Sequence, residues 1–542
     1  MKRIDFFRGL GLSPAALIPG RETLTAVGGA SSVRSFGAMG DRTIQTAEIQ
    51  AAIDAAQAYS TVVIEAGEYV IERVTITKPL RVVCWGARII LSGNNAGFVV
   101  EGTVPWFRVE GGHITGDNTN RDDAPSTAQV GWLFGNSAGA NVSDVEVSSV
   151  KVQQANVGFK FAAGVSPDSP VERVKVLNCD VTGSVGTVGG VGYGVQFTQT
   201  PGSSIVGGFI EGCGRHGLYF SEGENYNATG VHIENCGRND GTIRGALTVS
   251  RSANVSIVGC NFHDNKDAAI VVDVDTQGGT PNILDGVTIS GCTLSDNKYG
   301  DLVVGTVAPA RDGVPKTVTF AANTIVSLAA MTSSSILIHG GSRIRITDNN
   351  IDGSKVTGTL RVITLDAADA ASHTDDVTIS RNSIDVSNAS RGFGIQVASS
   401  LCTGSTRMRF LDNEIRAATA EFEFLAGEAN ITNNDLRYNR SDGVCRRTNS
   451  DTGGSSRRGI TVPVGGVDVL VLDAADSTFI EDFSGSYEGQ QLTIHFMTDN
   501  VRINNNTIST ARGRDIKGAA DDVIVLVRSD GAWRQQSPVS EN

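Results

Sequence analysis

The sequence predicts an all-β protein: a right-handed single-stranded parallel β-helix with an N-terminal capping helix and a small C-terminal antiparallel β domain. The main observation is a short phrase of two alternating apolar residues, two polar residues, then Cys or Asn, and a further apolar residue, as in Val287-Thr-Ile-Ser-Gly-Cys292-Thr-Leu294. Its pivot, the Cys or Asn, falls at residues 179, 213, 236, 260, 292, 323, 349, 382, 413 and 434. A repeat of this length, built from strand-like alternation and turns, is typical of a solenoid.

Each repeat is expected to form one coil of about three short strands, and every strand pairs with the equivalent strand of the next coil. Because strand side chains alternate, the two apolar residues of the phrase point inward and the residue between them points outward. The pivot also points inward, where Cys acts as a small hydrophobe and Asn hydrogen-bonds the backbone of neighbouring turns. We therefore predict an inner ladder that changes from Cys to Asn between residues 292 and 323.

Composition agrees with this fold and narrows the function. The 542 residues include 64 Gly and 6% aromatic residues, which suits many short strands and tight turns. The net charge of −13 disfavours a nucleic-acid partner, because phosphate binding needs a basic face. Five of the eight Cys are pivots, so free thiols are predicted rather than disulfides, with Cys84, Cys402 and Cys445 outside the ladder. No segment is long enough to span a bilayer.

Residues 1–31 form either an N-terminal arm or a degenerate export signal, because the Lys-Arg start is followed by a short apolar stretch broken by proline. The β-helix with its cap is assigned to residues 32–440. Within the cap, residues 46–57 are predicted to be helical, with Ile49 and Ile53 on one face and Thr46 as the N-cap. Such a helix would cover the open edge of the first coil.

The opening of the β-helix carries a family resemblance. The run FGAMGD…T…EIQAAIDAA…VVIEAGEYVI, within residues 33–71, resembles the start of the pectate-lyase-like superfamily of parallel β-helix proteins, and most of all phage tailspike depolymerases. The resemblance implies a homotrimer that acts on a polysaccharide, either on a virion tail or as an extracellular, secreted protein. It also implies a substrate groove along the sheet whose strands follow the pivot turn. The polygalacturonase signatures are absent, and Arg215-His216-Gly217 only partly echoes one of them.

The repeat ends near residue 440. Residues 441–459 are predicted to be a linker, and residues 460–542 a β-sandwich-like domain with alternating strands and a hairpin turn at Ser529-Asp-Gly531. The closing strand followed by Asp-Gly-x-Trp533 resembles the C-terminal modules of phage tail proteins, which implies a role in trimer formation or host binding.

The strands after the pivot turns define an outward column that includes Lys160, Gln196, Tyr219, Thr248, Asp273 and Asp301. Carboxylates on adjacent coils would lie about 5 Å apart, as in retaining glycosidases, and those two coils apart would suit an inverting enzyme. We therefore predict Asp273 and Asp301 as the catalytic pair, with Asp275 and Glu222 as replacements. The predicted substrate-binding residues are Tyr219, His216, Arg215, Arg244 and Thr248.

Three alternatives stay open on the sequence alone. A polysaccharide lyase would use Arg215, Arg244 or Lys160 to neutralise a uronate carboxylate and Tyr219 or His216 as the base. Glu421 and Glu423 form a second outer patch, which is either another catalytic site or a subunit interface. The third alternative is a glycan-binding fibre protein without catalytic activity.

Metal chemistry plays little part in these predictions. Asp273 and Asp275 form an oxygen-ligand pair that suits Ca²⁺. No C-x-x-C motif is present and the seven His are scattered along the chain, so the sequence predicts no zinc site and no other cofactor.

Overall fold

The computed structural model describes most of the chain between residues 30 and 536. The described ranges are 30–93, 95–116, 129–135, 139–162, 170–186, 190–237, 245–273, 284–305, 315–327, 334–366, 374–397, 408–417, 419–424, 440–441, 444–449, 457–463, 469–474, 478–484, 489–496, 499, 501–504, 508–509 and 515–536.

Three long sheets run along the described chain. Sheet A contains Ala30–Ser32, Thr61–Val63, Leu80–Val83, Phe107–Glu110, Val145–Ser148, Lys175–Leu177, Ser204–Val206, Asn227–Thr229, Ala253–Val258, Asp285–Ser290, Lys316–Ala321, Gly341–Ser342, Arg345–Thr347, Thr374–Asp375, Thr378–Ser380 and Arg409–Leu411. Sheet B contains Asp41–Ile44, Gly67–Ile71, Ala87–Leu91, His113–Thr115, Lys151–Gln153, Asp180–Thr182, Phe209–Glu211, His232–Glu234, Asn261–His263, Thr293–Ser295, Thr324–Val326, Asn350–Asp352, Ser383–Val386, Glu414–Ala417 and Arg440–Ser441. Sheet C contains Val74–Ile76, Ala96–Val100, Val130–Gly135, Val157–Ala162, Tyr193–Thr198, His216–Ser221, Gly245–Ser250, Ala268–Asp273, Leu302–Val304, Ser334–Ile338, Thr359–Leu365, Arg391–Val397, Ala420–Phe424, Val444–Asn449, Val469–Ala474, Gln491–Phe496, Val523–Ser529, Ala532–Gln535 and Ile508–Ser509.

The remaining strands form two small sheets. Sheet D contains Thr103–Val104, Asn141–Ser143 and Val171–Glu172. Sheet E contains Arg457–Pro463, Thr478–Ser484, Val501–Ile503 and Ile516–Lys517. The described helices are the 3-10 turn Val33–Phe36 and the α-helix Thr46–Ala55.

Consecutive coils pair in parallel and in register, which confirms the predicted parallel β-helix. In sheet A, Val255 pairs with Val287, and Val287 pairs with Val318 of the next coil. In sheet C, the inward phenylalanines Phe134, Phe161, Phe197 and Phe220 occupy equivalent positions, and successive ring centroids are 4.7, 5.0 and 5.4 Å apart. The interior is therefore filled by stacked apolar side chains, and chemistry with a large substrate has to use the outer faces.

The predicted inner ladder is confirmed for the described residues. The pivots from Cys179 to Cys292 are buried free thiols. From residue 323 onward the side-chain oxygen Oδ1 of each described pivot Asn accepts hydrogen bonds from the pivot residue of the preceding coil. The Asn349 amide and side-chain nitrogen, for example, lie 3.1 and 2.9 Å from Oδ1 of Asn382. The chemistry changes at Cys292, whose backbone N–H donates to Oδ1 of Asn323 at 2.9 Å.

The N-terminal helix closes the first strand of sheet C. Ile49 and Ile53 are buried, as predicted, and Gln50 exchanges two hydrogen bonds of 2.9 and 2.8 Å with the backbone of Thr75 in strand Val74–Ile76. A side chain thus satisfies the backbone groups that a preceding coil would otherwise pair with. The predicted Thr46 N-cap is wrong, because Thr46 is itself the first helical residue and its hydroxyl accepts from the N–H of Glu72 at 2.9 Å.

The end of the chain differs in detail from the prediction. Strand Val444–Asn449 lies within the segment predicted as a linker, and it pairs in parallel with Ala420–Phe424 and Val469–Ala474. Parallel pairing of sheet C continues to Gln491–Phe496, which then pairs antiparallel with Val523–Ser529. The polar composition around residue 450 concealed this strand, since its Cys-Arg-Arg-Thr core lacks the apolar alternation that marked the others. A small antiparallel C-terminal sheet is therefore present, and parallel strands precede it.

Within the described residues, no helix has both the length and the apolar character needed to cross a membrane.

Candidate active site on the outer face of sheet C

The outward column of sheet C has the register that the sequence predicted. Lys160 pairs with Gln196, Gln196 with Tyr219, and Tyr219 with Thr248. The column continues through Val271, Val303 and Leu337, and these three side chains are buried in a small outer apolar cluster with Ala268. One polar stretch of the column thus covers the four coils from Lys160 to Thr248, and polar residues return beyond the apolar cluster at Thr364 and Gln396.

A row of glycines shapes the start of these strands. Gly158, Gly194 and Gly217 follow one another on consecutive coils, and a Cβ at Gly194 would lie 2.5 Å from the Gly217 carbonyl oxygen and 2.7 Å from Ile210. No larger residue fits this close approach. The residues just before the glycines then face the outer side, where Tyr193 packs with Leu133 and Tyr219.

Three rings form an aromatic cluster on this face: Tyr193, His216 and Tyr219. The His216 ring lies 5.2 Å from each tyrosine ring, and the two tyrosine rings are 5.4 Å apart. The guanidinium of Arg215 lies 5.4 Å from the centroid of the Tyr193 ring. Tyr193 and His216 are only 5% and 4% exposed, so the partly exposed Tyr219 is the ring of this cluster that suits stacking against a sugar.

The orientation of His216 is fixed by the next coil. Its Nδ1 lies 2.7 Å from the carbonyl oxygen of Gly245 and 3.1 Å from Oγ1 of Thr248. A carbonyl can only accept, so Nδ1 carries the proton and donates, and Nε2 carries the lone pair in the neutral ring. His216 is only 4% exposed, so it is better placed to orient Tyr219 than to contact a substrate directly.

Lys160 supplies a positive charge at one end of the polar column. Burial lowers the pKa of Lys160 from its usual value. Gln196 lies between Lys160 and Tyr219, and its side-chain nitrogen donates to Oγ1 of Thr198 at 3.1 Å. A cation and a phenol thus share one face two coils apart.

A second polar group lies where the strands of sheet C end. Gln199, Glu222 and Arg251, here named the strand-end cluster, follow strands on three consecutive coils and all have positive φ, at 54°, 55° and 47°. The Gln199 side chain donates to Oε2 of Glu222 at 2.7 Å, and the Arg251 guanidinium is ion-paired with Oε1 of Glu222. Glu222 is therefore held by partners on both sides, yet its side chain is still 24% exposed.

Asp273 reaches the same edge. It is partly buried and pairs in register with Ser250, which in turn pairs with Ser221, the residue before Glu222. Because neighbouring strands are about 4.8 Å apart, the backbones at Asp273 and Ser221 are about 10 Å apart. Asp273 and Glu222 are thus two acids on one edge of the outer face, separated by two coils.

The prediction that Asp301 lies on this face is wrong. Asp301 precedes strand Leu302–Val304, is fully buried, and accepts hydrogen bonds from Asn297 Nδ2 at 2.9 Å and Ser335 Oγ at 2.6 Å. Burial raises its pKa to about 6. The physical reason is its position in the coil. Leu302 pairs with Ile270 and Ile336, so Asp301 occupies the same inward position as the buried Ala269 and Ser335 of the neighbouring coils, and there it meets the interior Asn265–Asn297 ladder. Asp301 and Asp273 therefore do not form an outer carboxylate pair.

Several predicted residues lie outside the described residues. Arg244 and Asp275 are two of them, and the Ca²⁺ pair of Asp273 with Asp275 therefore stays a prediction. Glu421 and Glu423 belong to strand Ala420–Phe424, whose side chains are not among those described.

Sequence reasoning missed Tyr193 as a member of the aromatic cluster. It also missed Gln199 and Arg251 as the partners of Glu222. The repeat does not show where each strand begins, so it gives no reason to include Tyr193, the residue directly before Gly194, in the outer face. An aromatic residue or His directly before that glycine, as in Tyr193-Gly and His216-Gly, was the available signal. The positive φ of Gln199, Glu222 and Arg251 leaves no mark in composition, since Gly or Asn is the usual residue there.

The comparisons with known proteins concern the fold. The family described as "Right handed beta helix region" matches residues 130–325. No curated protein sequence matches the chain. Among solved structures, the A-module of mannuronan C-5 epimerase AlgE4 from Azotobacter vinelandii is similar with 17% identity and a TM-score of 0.44, over 72% of this chain and 96% of that one. The catalytic unit of a GH87 α-1,3-glucanase from Streptomyces thermodiastaticus is similar with 14% identity and a TM-score of 0.48, over 77% of this chain and 69% of that one. The family 28 exopolygalacturonase from Yersinia enterocolitica is similar with 13% identity and a TM-score of 0.34, over 76% of this chain and 78% of that one.

The family match covers the coils that carry the aromatic cluster, the strand-end cluster and Asp273. Together with the parallel, in-register pairing of successive coils, it identifies the fold around the candidate site as a right-handed parallel β-helix.

Proposed function

We propose that the protein is a polysaccharide depolymerase that binds an extracellular or capsular glycan along the outer face of sheet C and hydrolyses its glycosidic bonds. The observation that carries this proposal is the shared edge of Glu222 and Asp273. Both are partly exposed acids, two coils apart, at the ends of strands of the sheet that carries the aromatic cluster.

The separation favours an inverting mechanism. Inverting glycosidases hold their carboxyl groups about 6.5–9.5 Å apart to leave room for a water molecule, and two coils span about 10 Å of backbone. Glu222 is oriented by Gln199 and Arg251, as a base that activates water needs to be. Asp273 then takes the role of the acid that protonates the leaving oxygen. Tyr219 would stack against the sugar next to the cleaved bond.

A test of hydrolysis combines substrates with variants. The full chain is incubated with a panel of neutral and acidic bacterial exopolysaccharides and capsular polysaccharides, and new reducing ends are measured. We expect Asp273→Asn and Glu222→Gln to lose at least about 100-fold in rate, because each removes a general acid or base. Two matched controls are Glu110→Gln, which breaks the Arg81–Glu110 ion pair of sheet A, and Asp348→Asn, which breaks the Arg381–Asp348 pair. Full activity in both site variants would refute the assignment.

β-Elimination from a uronate-containing glycan is the second candidate, and it is favoured by one observation. Lys160 and Tyr219 lie on the same outward column with only Gln196 between them, so a cation and a base face one substrate. In that case the products carry a new double bond with ultraviolet absorbance, and Lys160→Met abolishes it while Asp273→Asn does not. Binding without either product would identify a glycan-binding fibre protein.

We also propose a homotrimer located on a virion tail or outside the cell, with residues 460–542 supporting assembly or host binding. The acidic charge of −13 and the buried free thiols are compatible with such a location. Light scattering of the full chain measures the mass directly, and a monomer at micromolar concentration would contradict the trimer.

A further inference from the structure

A group of potential metal ligands lies on sheet B, away from the candidate active site of sheet C. It consists of His232 and Glu234 on strand His232–Glu234 and His263 on strand Asn261–His263. One ligand atom from each residue lies within 4.8 Å of the others. Along the chain these residues look scattered, but the register pairs Glu234 directly with His263 of the next coil.

The ligand atoms converge on one point. Oε2 of Glu234 lies 3.0 Å from Nε2 of His232 and 2.6 Å from Nε2 of His263. A tetrahedral ion with bonds of about 2.0–2.1 Å keeps its ligands about 3.3 Å apart, so small side-chain movements are enough to admit one. His232 and Glu234 are two residues apart on a strand, and therefore point to the same side.

The outer nitrogens of both imidazoles have polar partners of their own. Nδ1 of His263 lies 3.0 Å from Oδ2 of Asp264. Nδ1 of His232 lies 3.3 Å from Nδ2 of Asn261, which donates to it, so a metal on Nε2 of His232 requires the Asn261 amide to turn and present its oxygen. A neutral His263 ring can donate to Asp264 through Nδ1 or to Glu234 through Nε2, but not to both; when it donates to Asp264, its Nε2 lone pair is directed at Glu234. A lone pair 2.6 Å from a carboxylate oxygen is repulsive unless a cation or a second proton lies between them. A carboxylate behind a ligating His is also the usual support of metal-bound imidazole.

We propose that His232, Glu234 and His263 bind a divalent transition-metal ion, with Zn²⁺ favoured by two imidazoles and one carboxylate. The three side chains are 29%, 21% and 28% exposed, so the ion keeps at least one position open to water. Glu211 pairs in register with Glu234 on the preceding coil and is placed to support or replace that water. Because the ligands come from two consecutive coils, the ion also links those coils.

The experiment uses the full chain without a histidine tag, freed of metal by chelation, and titrates it with ZnCl₂ alone by calorimetry. We expect one Zn²⁺ per chain, and CoCl₂ should give the visible absorption of a cobalt ion bound in a site of low coordination number. His263→Ala and Glu234→Gln should each weaken binding by more than about 100-fold, and Asp264→Asn by about 10–100-fold. His113→Ala is the matched control, since His113 is a half-buried histidine of the same sheet, bonded to Gln153 at 3.2 Å.

Two results would overturn the proposal. One is Zn²⁺ binding that is equally strong in the wild type and in His263→Ala. The other is an absence of Zn²⁺ binding to the metal-free wild type. An NMR spectrum in which His263 is doubly protonated at neutral pH would then identify an imidazolium that donates to both Glu234 and Asp264 in place of a metal. Zn²⁺ should also raise the melting temperature of the wild type and of His113→Ala, but not that of His263→Ala.

Discussion

Replacing Asp301 with Asn should change how the stability of the protein depends on pH. Asp301 is fully buried, and burial raises its pKa to about 6. An unfolded Asp has a pKa of about 3.9, so the native state binds this proton more tightly than the unfolded state does. The stability from this site is therefore complete below about pH 4 and is lost as the pH rises through about 6.

The magnitude follows from the difference in pKa. About 2 units at about 1.4 kcal/mol per unit give about 3 kcal/mol between pH 4 and pH 8. In Asp301→Asn the amide oxygen still accepts from Asn297, and the amide nitrogen donates to Ser335 once that hydroxyl rotates. The variant should therefore be about 1 kcal/mol less stable than the wild type at pH 4, through imperfect hydrogen bonds, and about 2 kcal/mol more stable at pH 8.

Urea unfolding of both proteins at pH 4.5 and pH 8, at constant ionic strength, measures this change. Asp348→Asn is an informative control, because hydrogen bonds from Arg381 lower the pKa of Asp348, so its contribution has the opposite sign and is lost as the pH falls. Parallel pH profiles for the wild type and Asp301→Asn would refute the reasoning. Asp301→Asn should also retain glycan cleavage, whereas Asp273→Asn should not.

Three further predictions test the coil architecture. Asn382→Ala removes the acceptor of two Asn349 donors and should lower the free energy of unfolding by about 4 kcal/mol, whereas Cys292→Ala should lower it by about 1 kcal/mol. Urea midpoints measure both losses, and equal losses would contradict the ladder. Gly194→Ala places a Cβ 2.5 Å from the Gly217 carbonyl oxygen and should cost about 1–3 kcal/mol and displace Tyr193, which near-ultraviolet circular dichroism would detect. The six described thiols are buried, and burial raises the pKa of Cys84 to about 12, so in a Cys402→Ser, Cys445→Ser background a thiol reagent at pH 8 should label the protein only when it unfolds; rapid labelling of that native variant would count against the buried ladder.

The coil pattern was predictable because two simple constraints act on every repeat. Each inward position, such as Val287 or Ile289, must be apolar, and each pivot must fit a buried turn. These constraints recur in the sequence at the period of the coil, so the register of the column from Lys160 to Thr248 followed directly. What the period does not encode is where a strand begins within its coil.

That missing information explains both the error at Asp301 and the omission of Tyr193. A shift of one residue moves a side chain from the outer face to the interior, so an Asp near a turn can serve either side. Asp301 lies inside because Asn297 and Ser335 supply its hydrogen bonds, and those partners are four and 34 residues away. No local pattern reports a partner as distant as Ser335.

The same reasoning explains why the candidate metal site escaped notice. His232 and His263 are separated by 31 positions in the sequence, a distance that suggests nothing about metal binding. In the coil, however, 29 residues separate positions in register, so His263 lies opposite Glu234 and diagonally from His232. A solenoid therefore has a characteristic spacing of its own for ligand pairs, set by the length of one coil rather than by a helix turn or a hairpin. His, Cys and carboxylate residues that recur at the local coil length would mark such sites in the sequences of other β-helices, and the Zn²⁺ titration of His263→Ala decides whether this one is real.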